Sequence, residues 1–162
     1  MEYGAQLDTM TSDFVSMPSV RGQLVQALAT LADPLWQRQT WVGHQPPWDA
    51  VSDFDTDVGE LYDGVSVLPD PRQMLGRVLL NEHEVEAIAR LGRAIDAIHN
   101  KYGKDTTGRD AEIIEDPLWP EVLDSARAAL AMLLNPRIFQ VRWFQDNHHT
   151  PYEDDPHPLD EK

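Results

Sequence analysis

Residues 81–103 read NEHEVEAIARLGRAIDAIHNKYG, and this stretch decides the fold. Its apolar residues Val85, Ile88, Leu91, Ile95, Ile98 and Tyr102 recur every three or four positions, the 3.6-residue period of a helix with one face turned to a core. Asn81, followed three residues later by Glu84, resembles a capping box, in which a short polar side chain accepts from a first-turn N–H and the glutamate reaches back. Glu86 and Arg90 stand one turn apart on the other side. Lys101 complements the negative end of the helix dipole, and Gly103 can end the helix in a left-handed turn. So long an apolar face must be covered, which makes this the central helix of the expected fold.

Working outward, the same signals recur on both sides. Pro18 and Ser19 start a helix whose stripe is Val20, Leu24, Ala27, Leu28 and Leu31. Asp33 then caps a second, short helix with Pro34 at its first position, running through Trp36 and Trp41 to about Val42, where residues 43–47 force a loop. Asp53 caps a third that buries Phe54, Val58, Leu61 and Tyr62 and stops near Gly64. Asp70-Pro71 repeats the cap-plus-proline start ahead of the stripe Met74, Leu75, Val78 and Leu79. Residues 104–115 read as a polar loop. Asp116-Pro117 or Trp119-Pro120 opens the last strong helix, with Val122, Leu123, Ala126, Leu130 and Leu133 inward and Ala128, Ala129 and Ala131 permitting close approach until Asn135-Pro136. Ile138, Phe139, Val141, Trp143 and Phe144 are apolar enough to dock back as a short extended segment. No alternating run suggests a core sheet. The expected architecture is all-α, a single-domain irregular bundle of about five helices over residues 18–145, with a loose arm at 1–17 and a flexible acidic tail at 146–162.

Composition narrows the function classes. A chain of 162 residues matches one ordinary domain. The absence of cysteine excludes a disulfide scaffold, thiolate catalysis and a zinc ribbon. There is no Lys or Arg before Arg21 and no apolar stretch of a secretory signal. The longest apolar run, residues 128–134, falls far short of the roughly 20 residues a membrane span needs, so a cytoplasmic location is expected. Charge is uneven. Residues 39–71 carry seven acids and no Lys or Arg, residues 145–162 carry six acids against Lys162 alone, and together they hold -12 of the net -15. Such a field repels nucleic acid and anionic membrane and attracts basic partners; the competing explanation is plain solubility.

Catalytic and metal motifs fail one by one. His83-Glu84 opens like a zinc-protease helix, but the second histidine position holds Ala87. Asp53, Asp55 and Asp57 imitate the start of a calcium loop, whose sixth and twelfth positions hold Val58 and Gly64 in place of glycine and glutamate. Gly103-Lys104 lacks the earlier glycine of a phosphate loop. His148, His149 and His157 lie in the polar tail, and His44 and His99 are single imidazoles. Asp57 and Glu60 are one helical turn apart, a spacing that would perturb their titration if both were buried. No catalytic residue, metal site or cofactor is expected. Trp36, Trp41 and Trp48 fall within 13 residues beside the acidic segment, either as core plugs or as aromatic anchors ringed by charge. The candidate partner-binding surface is therefore Trp41, Trp48, Asp49, Asp53, Asp55, Asp57, Glu60 and Asp63.

The pattern Asp33-Pro34-x-x-Gln37-Arg38-x-x-Trp41, with Leu61-Tyr62-Asp63, Asp70-Pro71, Leu75-Gly76, Leu79 and Trp119-Pro120-x-Val122, resembles a family of small, acidic, uncharacterised, all-helical actinobacterial proteins. The likeness spans residues 19–134. In type the chain is also similar to toxin-immunity proteins, which are small and acidic and act by binding. That resemblance implies a non-enzymatic domain binding a basic protein partner; an orphan structural or regulatory oligomerising domain is the alternative.

Overall fold

The computed structural model describes residues 15–44 and 51–134. Among these residues the chain is all-α. Helix α1 spans Pro18–Leu31, and α2 spans Pro34–Trp36 and widens into a π-helix over Gln37–Val42. Helix α3 spans Phe54–Gly59 and likewise continues as a π-helix, Glu60–Gly64. A 3₁₀ turn at Pro71–Met74 precedes the long α4, Glu82–Tyr102; then come α5, Asp110–Ile114, and α6, Trp119–Leu133. None of the described helices is long and apolar enough to cross a membrane.

Helix α4 lies at the centre, packed along α6, which in turn packs on α1. Its predicted stripe is buried from Val85 to Ile98 and only partly at Tyr102: Ile88, Leu91, Ile95 and Ile98 are completely enclosed, and burial of such side chains stabilises by about 1.5–3 kcal/mol each. Across the α4–α6 contact, Val122, Ala126 and Ala129 are enclosed as well, the small alanines letting the backbones approach. Ala128 and Ala131, read as part of the same close approach, face solvent.

Local caps form where the short polar residues predicted them. Asp33, Asp53, Asp70 and Asn81 each accept a hydrogen bond from the backbone N–H of Trp36, Thr56, Arg72 and Glu84 respectively, at 3.1, 2.7, 3.2 and 2.9 Å. Gly103 leaves α4 with φ of 83°, a left-handed value that glycine adopts without the steric cost of a Cβ.

Five expectations change. The capping box at Asn81 is only half made: Glu84 turns inward, where its carboxylate accepts from Leu80 N–H at 2.6 Å and from both Arg21 guanidinium nitrogens at 2.7 and 2.8 Å. A fully buried carboxylate needs a cation more than a first-turn N–H does. Glu86 pairs with Arg93, and Arg90 reaches Glu121 on α6. The stripe from Met74 to Leu79 is not helical, because Leu75 is extended, Gly76 turns left-handed (φ 78°) and Leu75 bridges to Leu79. Residues 104–115 contain α5, whose Ile113 is fully buried against the core. Finally, the body begins before residue 18: Val15 is buried, and Ser16 and Met17 donate backbone bonds to the Gly76 and Arg77 carbonyls at 3.0 and 2.9 Å. The tail at 146–162 lies outside the described residues, as does the apolar segment 138–144.

Candidate functional site

Aromatic packing sets the position of α3. Trp41, Phe54 and Trp119 meet edge to face with ring centroids 5.6–6.1 Å apart, and His99 adds an edge contact to Phe54 at 5.8 Å. Each indole N–H is matched, as buried indoles require. Trp119 donates to Gln37 Oε1 at 3.2 Å, while the Gln37 amide caps the end of α1 through the Thr30 and Leu31 carbonyls, both at 3.0 Å. Trp41 donates to Asp57 at 2.7 Å and to Ser52 at 3.1 Å, and Ser52 donates to the same carboxylate oxygen at 2.5 Å. Trp41, 1% exposed, is thus a core residue and not a surface anchor, because its ring completes the cluster that seats α3.

The acids of α3 divide by what they touch. Asp53 caps the helix. Asp55 accepts from the Thr106 hydroxyl, and the N–H of Phe54 donates across to Asp110 on α5 at 2.9 Å. Burial pushes the Asp57 carboxyl above the usual carboxylate range, opposed by its bonds from Ser52 and Trp41 and reinforced by the charges of Asp53 and Asp110. Asp110 is raised in the same way, by burial first, with Asp53 and Asp55 adding to it. Glu60 and Asp57 do not form the coupled pair their spacing suggested: Asp57 is engaged by Trp41 and Ser52, whereas the Glu60 carboxylate fills the space beside Gly64. Trp48 and Asp49 lie outside the described residues.

The ion pairs show where the excess charge sits. Glu82, Glu84, Glu86, Glu112, Glu115, Asp116, Glu121 and Asp124 are each paired with an Arg or Lys. Among the described residues, no such pair involves Asp53, Asp55, Asp57, Glu60 or Asp63 on α3, nor Asp96 on α4 and Asp110 on α5, which stand near them. Asp33, Asp70 and Asp105 also have no such pair, so the acids without an ion pair are concentrated on and around α3 but not confined to it.

A cleft of about 550 Å³ opens between α3 and α4, with Asp55, Tyr62, Asp63, Asp96, His99 and Lys104 on its walls. Burial, and then the charge of Asp96, raises the Tyr62 phenol pKa. Burial lowers the His99 pKa against the opposing pull of Asp96 and Asp55, which favours the neutral imidazole. The cleft thus combines three carboxylates with one lysine and an aromatic wall. The sequence reading takes His99 only as a single imidazole and does not single out Asp96, although their three-residue spacing places them on one side of α4, where a helical projection finds them together. Asp110 offered no such signal, since its segment read as a loop.

No curated protein and no solved structure matches the chain. A family model does, over residues 15–137, which takes in the whole described body from the docked Val15 through α6. The chain belongs to the family described as Domain of unknown function (DUF7945).

Proposed function

We propose that this domain binds a basic protein partner through the cleft between α3 and α4, with Asp55, Asp63 and Asp96 receiving lysine or arginine side chains. The observation that carries this reading is the grouping of charge: eight acids of the described body pair with Arg or Lys, while Asp55, Asp63 and Asp96 line one cleft together without an ion pair, beside the single Lys104. Clustered like charges destabilise the free protein, so a cationic partner gains both attraction and relief of that repulsion. An immunity-like role, with a basic toxin as the partner, is one form of this function. Trp41 takes no part in it; Tyr62 supplies the aromatic contact.

The test separates geometry from net charge. One triple variant, Asp55→Asn/Asp63→Asn/Asp96→Asn, empties the cleft of charge; a second, Glu86→Gln/Glu112→Gln/Asp124→Asn, removes the same charge elsewhere. Binding of a lysine- and arginine-rich peptide is followed by stopped-flow fluorescence at two ionic strengths. The cleft variant should associate at least about tenfold more slowly at low salt, with the difference shrinking as the Debye length falls below about 8 Å. Equal losses in both variants would sink the proposal, because net charge alone would then explain binding.

A further inference from the structure

Asp55 also lines a second pocket of about 460 Å³, formed where the π-helix after α2, the start of α3 and the loop before α5 meet. Asp53, Asp55 and Asp110 line it, with Thr40 and Thr106. Each carboxylate is held by one internal bond through Oδ1, from Thr56 N–H, the Thr106 hydroxyl and Phe54 N–H respectively. That leaves Oδ2 of Asp53 and of Asp55 without a hydrogen-bond partner among the described residues. The independent observation is Thr40. Its residue is 3% exposed, it lines this pocket, and its buried hydroxyl has no hydrogen-bond partner. An unmatched buried hydroxyl is costly, and a π-helix is a common place for a functional residue.

We propose that this pocket binds a small organic cation, an alkylammonium or guanidinium group, held by Asp53, Asp55 and Asp110 with the Thr40 hydroxyl accepting one further N–H. Several N–H donors on one positive group match fixed carboxylate oxygens and a hydroxyl spread around a pocket of small-molecule size. A metal ion fits less well, because no three Asp, Glu, His or Cys side chains among the described residues form a group suited to hold one, and metals demand ligands converging to about 2.0–2.6 Å. The upward shift at Asp110, caused by burial and then by its acidic neighbours, is the electrostatic tension that a bound cation relieves.

The test titrates agmatine into the full chain by calorimetry, with butylurea as the uncharged control and magnesium chloride as the metal control. Agmatine should bind this pocket saturably, and the two controls should not. Asp55→Asn keeps an acceptor for Thr106 and should weaken agmatine at least about tenfold, the scale of one lost charge-assisted contact. Thr40→Val should weaken it roughly threefold while leaving the ligand-free melting temperature unchanged or raised, since it removes an unmatched polar group without changing shape. That opposite pair of effects separates a ligand contact from a structural one, and it keeps the test decisive if Asp55→Asn fails to fold. Asp63→Asn/Asp96→Asn should leave agmatine affinity within about twofold, so this pocket and the protein-binding cleft stand or fall separately. Absence of saturable binding at millimolar agmatine, equal binding of butylurea, or indifference to Thr40→Val would overturn the proposal.

Discussion

Replacing Arg21 by methionine is the sharpest probe of how this fold is held. The Arg21 guanidinium bonds both oxygens of Glu84 and also donates to the carbonyls of Val78 at 2.9 Å and Leu133 at 3.3 Å, so one side chain joins α1, the strand-like turn before α4, α4 itself and the end of α6. The Glu84 side chain is 0% exposed and that of Arg21 11%. Methionine preserves most of the apolar stem but leaves a buried carboxylate with only Leu80 N–H. Breaking such a pair costs about 3–5 kcal/mol, because a desolvated charge loses its counter-charge. For a chain of this size each kcal/mol lowers the melting temperature by about 2–4 °C, so the loss should be roughly 6–20 °C. Arg21→Met/Glu84→Leu should recover much of it, since an apolar replacement removes the buried charge together with its partner. Urea unfolding followed by circular dichroism measures all the corners of this double-mutant cycle. A loss under about 1 kcal/mol in Arg21→Met, or a double variant whose loss equals the sum of the single ones, would refute the reasoning.

Three further outcomes follow from buried polar groups. Because the Asp57 pKa is raised in the fold, its protonation stabilises; that contribution is fully present below the ordinary carboxylate value near 4 and is lost as pH rises through the raised one. Thermal melts should therefore show wild type gaining on Asp57→Asn as pH falls from 7 toward 4, and a constant gap would contradict it. Asp116 has the opposite sign: Lys101 first, then Tyr102 and Leu118 N–H, hold it down to about 2, so its contribution is present above the ordinary value and disappears as pH falls to about 2. Melts of Asp116→Asn and wild type should converge over that acid range. Gln37→Leu strands the Trp119 indole N–H and the Leu31 carbonyl, while the Thr30 carbonyl keeps the Asp33 N–H, and should cost about 2–6 kcal/mol in urea unfolding, given about 1–3 kcal/mol for each of the two unmatched buried groups; a loss below about 0.5 kcal/mol would mean that water replaces the amide.

What could be read from residue order is what acts within a turn or two of chain. The apolar period of α4 follows from helix geometry alone, and the caps at Asp33, Asp53, Asp70 and Asn81 act on N–H groups two or three residues away, so each was legible where it stands. The uneven distribution of acids was legible for the same reason, being a property of composition along the chain. Only the tertiary structure decided which acid meets which base. Glu84 has the spacing of a reciprocal cap, yet it is recruited by Arg21, 63 residues earlier, because packing encloses it. Phe54 and Asp110 are 56 residues apart, and nothing local marks Asp110 as a partner. Residue order leaves both a surface and a core reading open for Trp41, and the contacts with Phe54 and Trp119 decide it. Side-chain pairing across the bundle depends on how three separate helices pack, and a helical period constrains which face is buried but not which distant residue that face will meet.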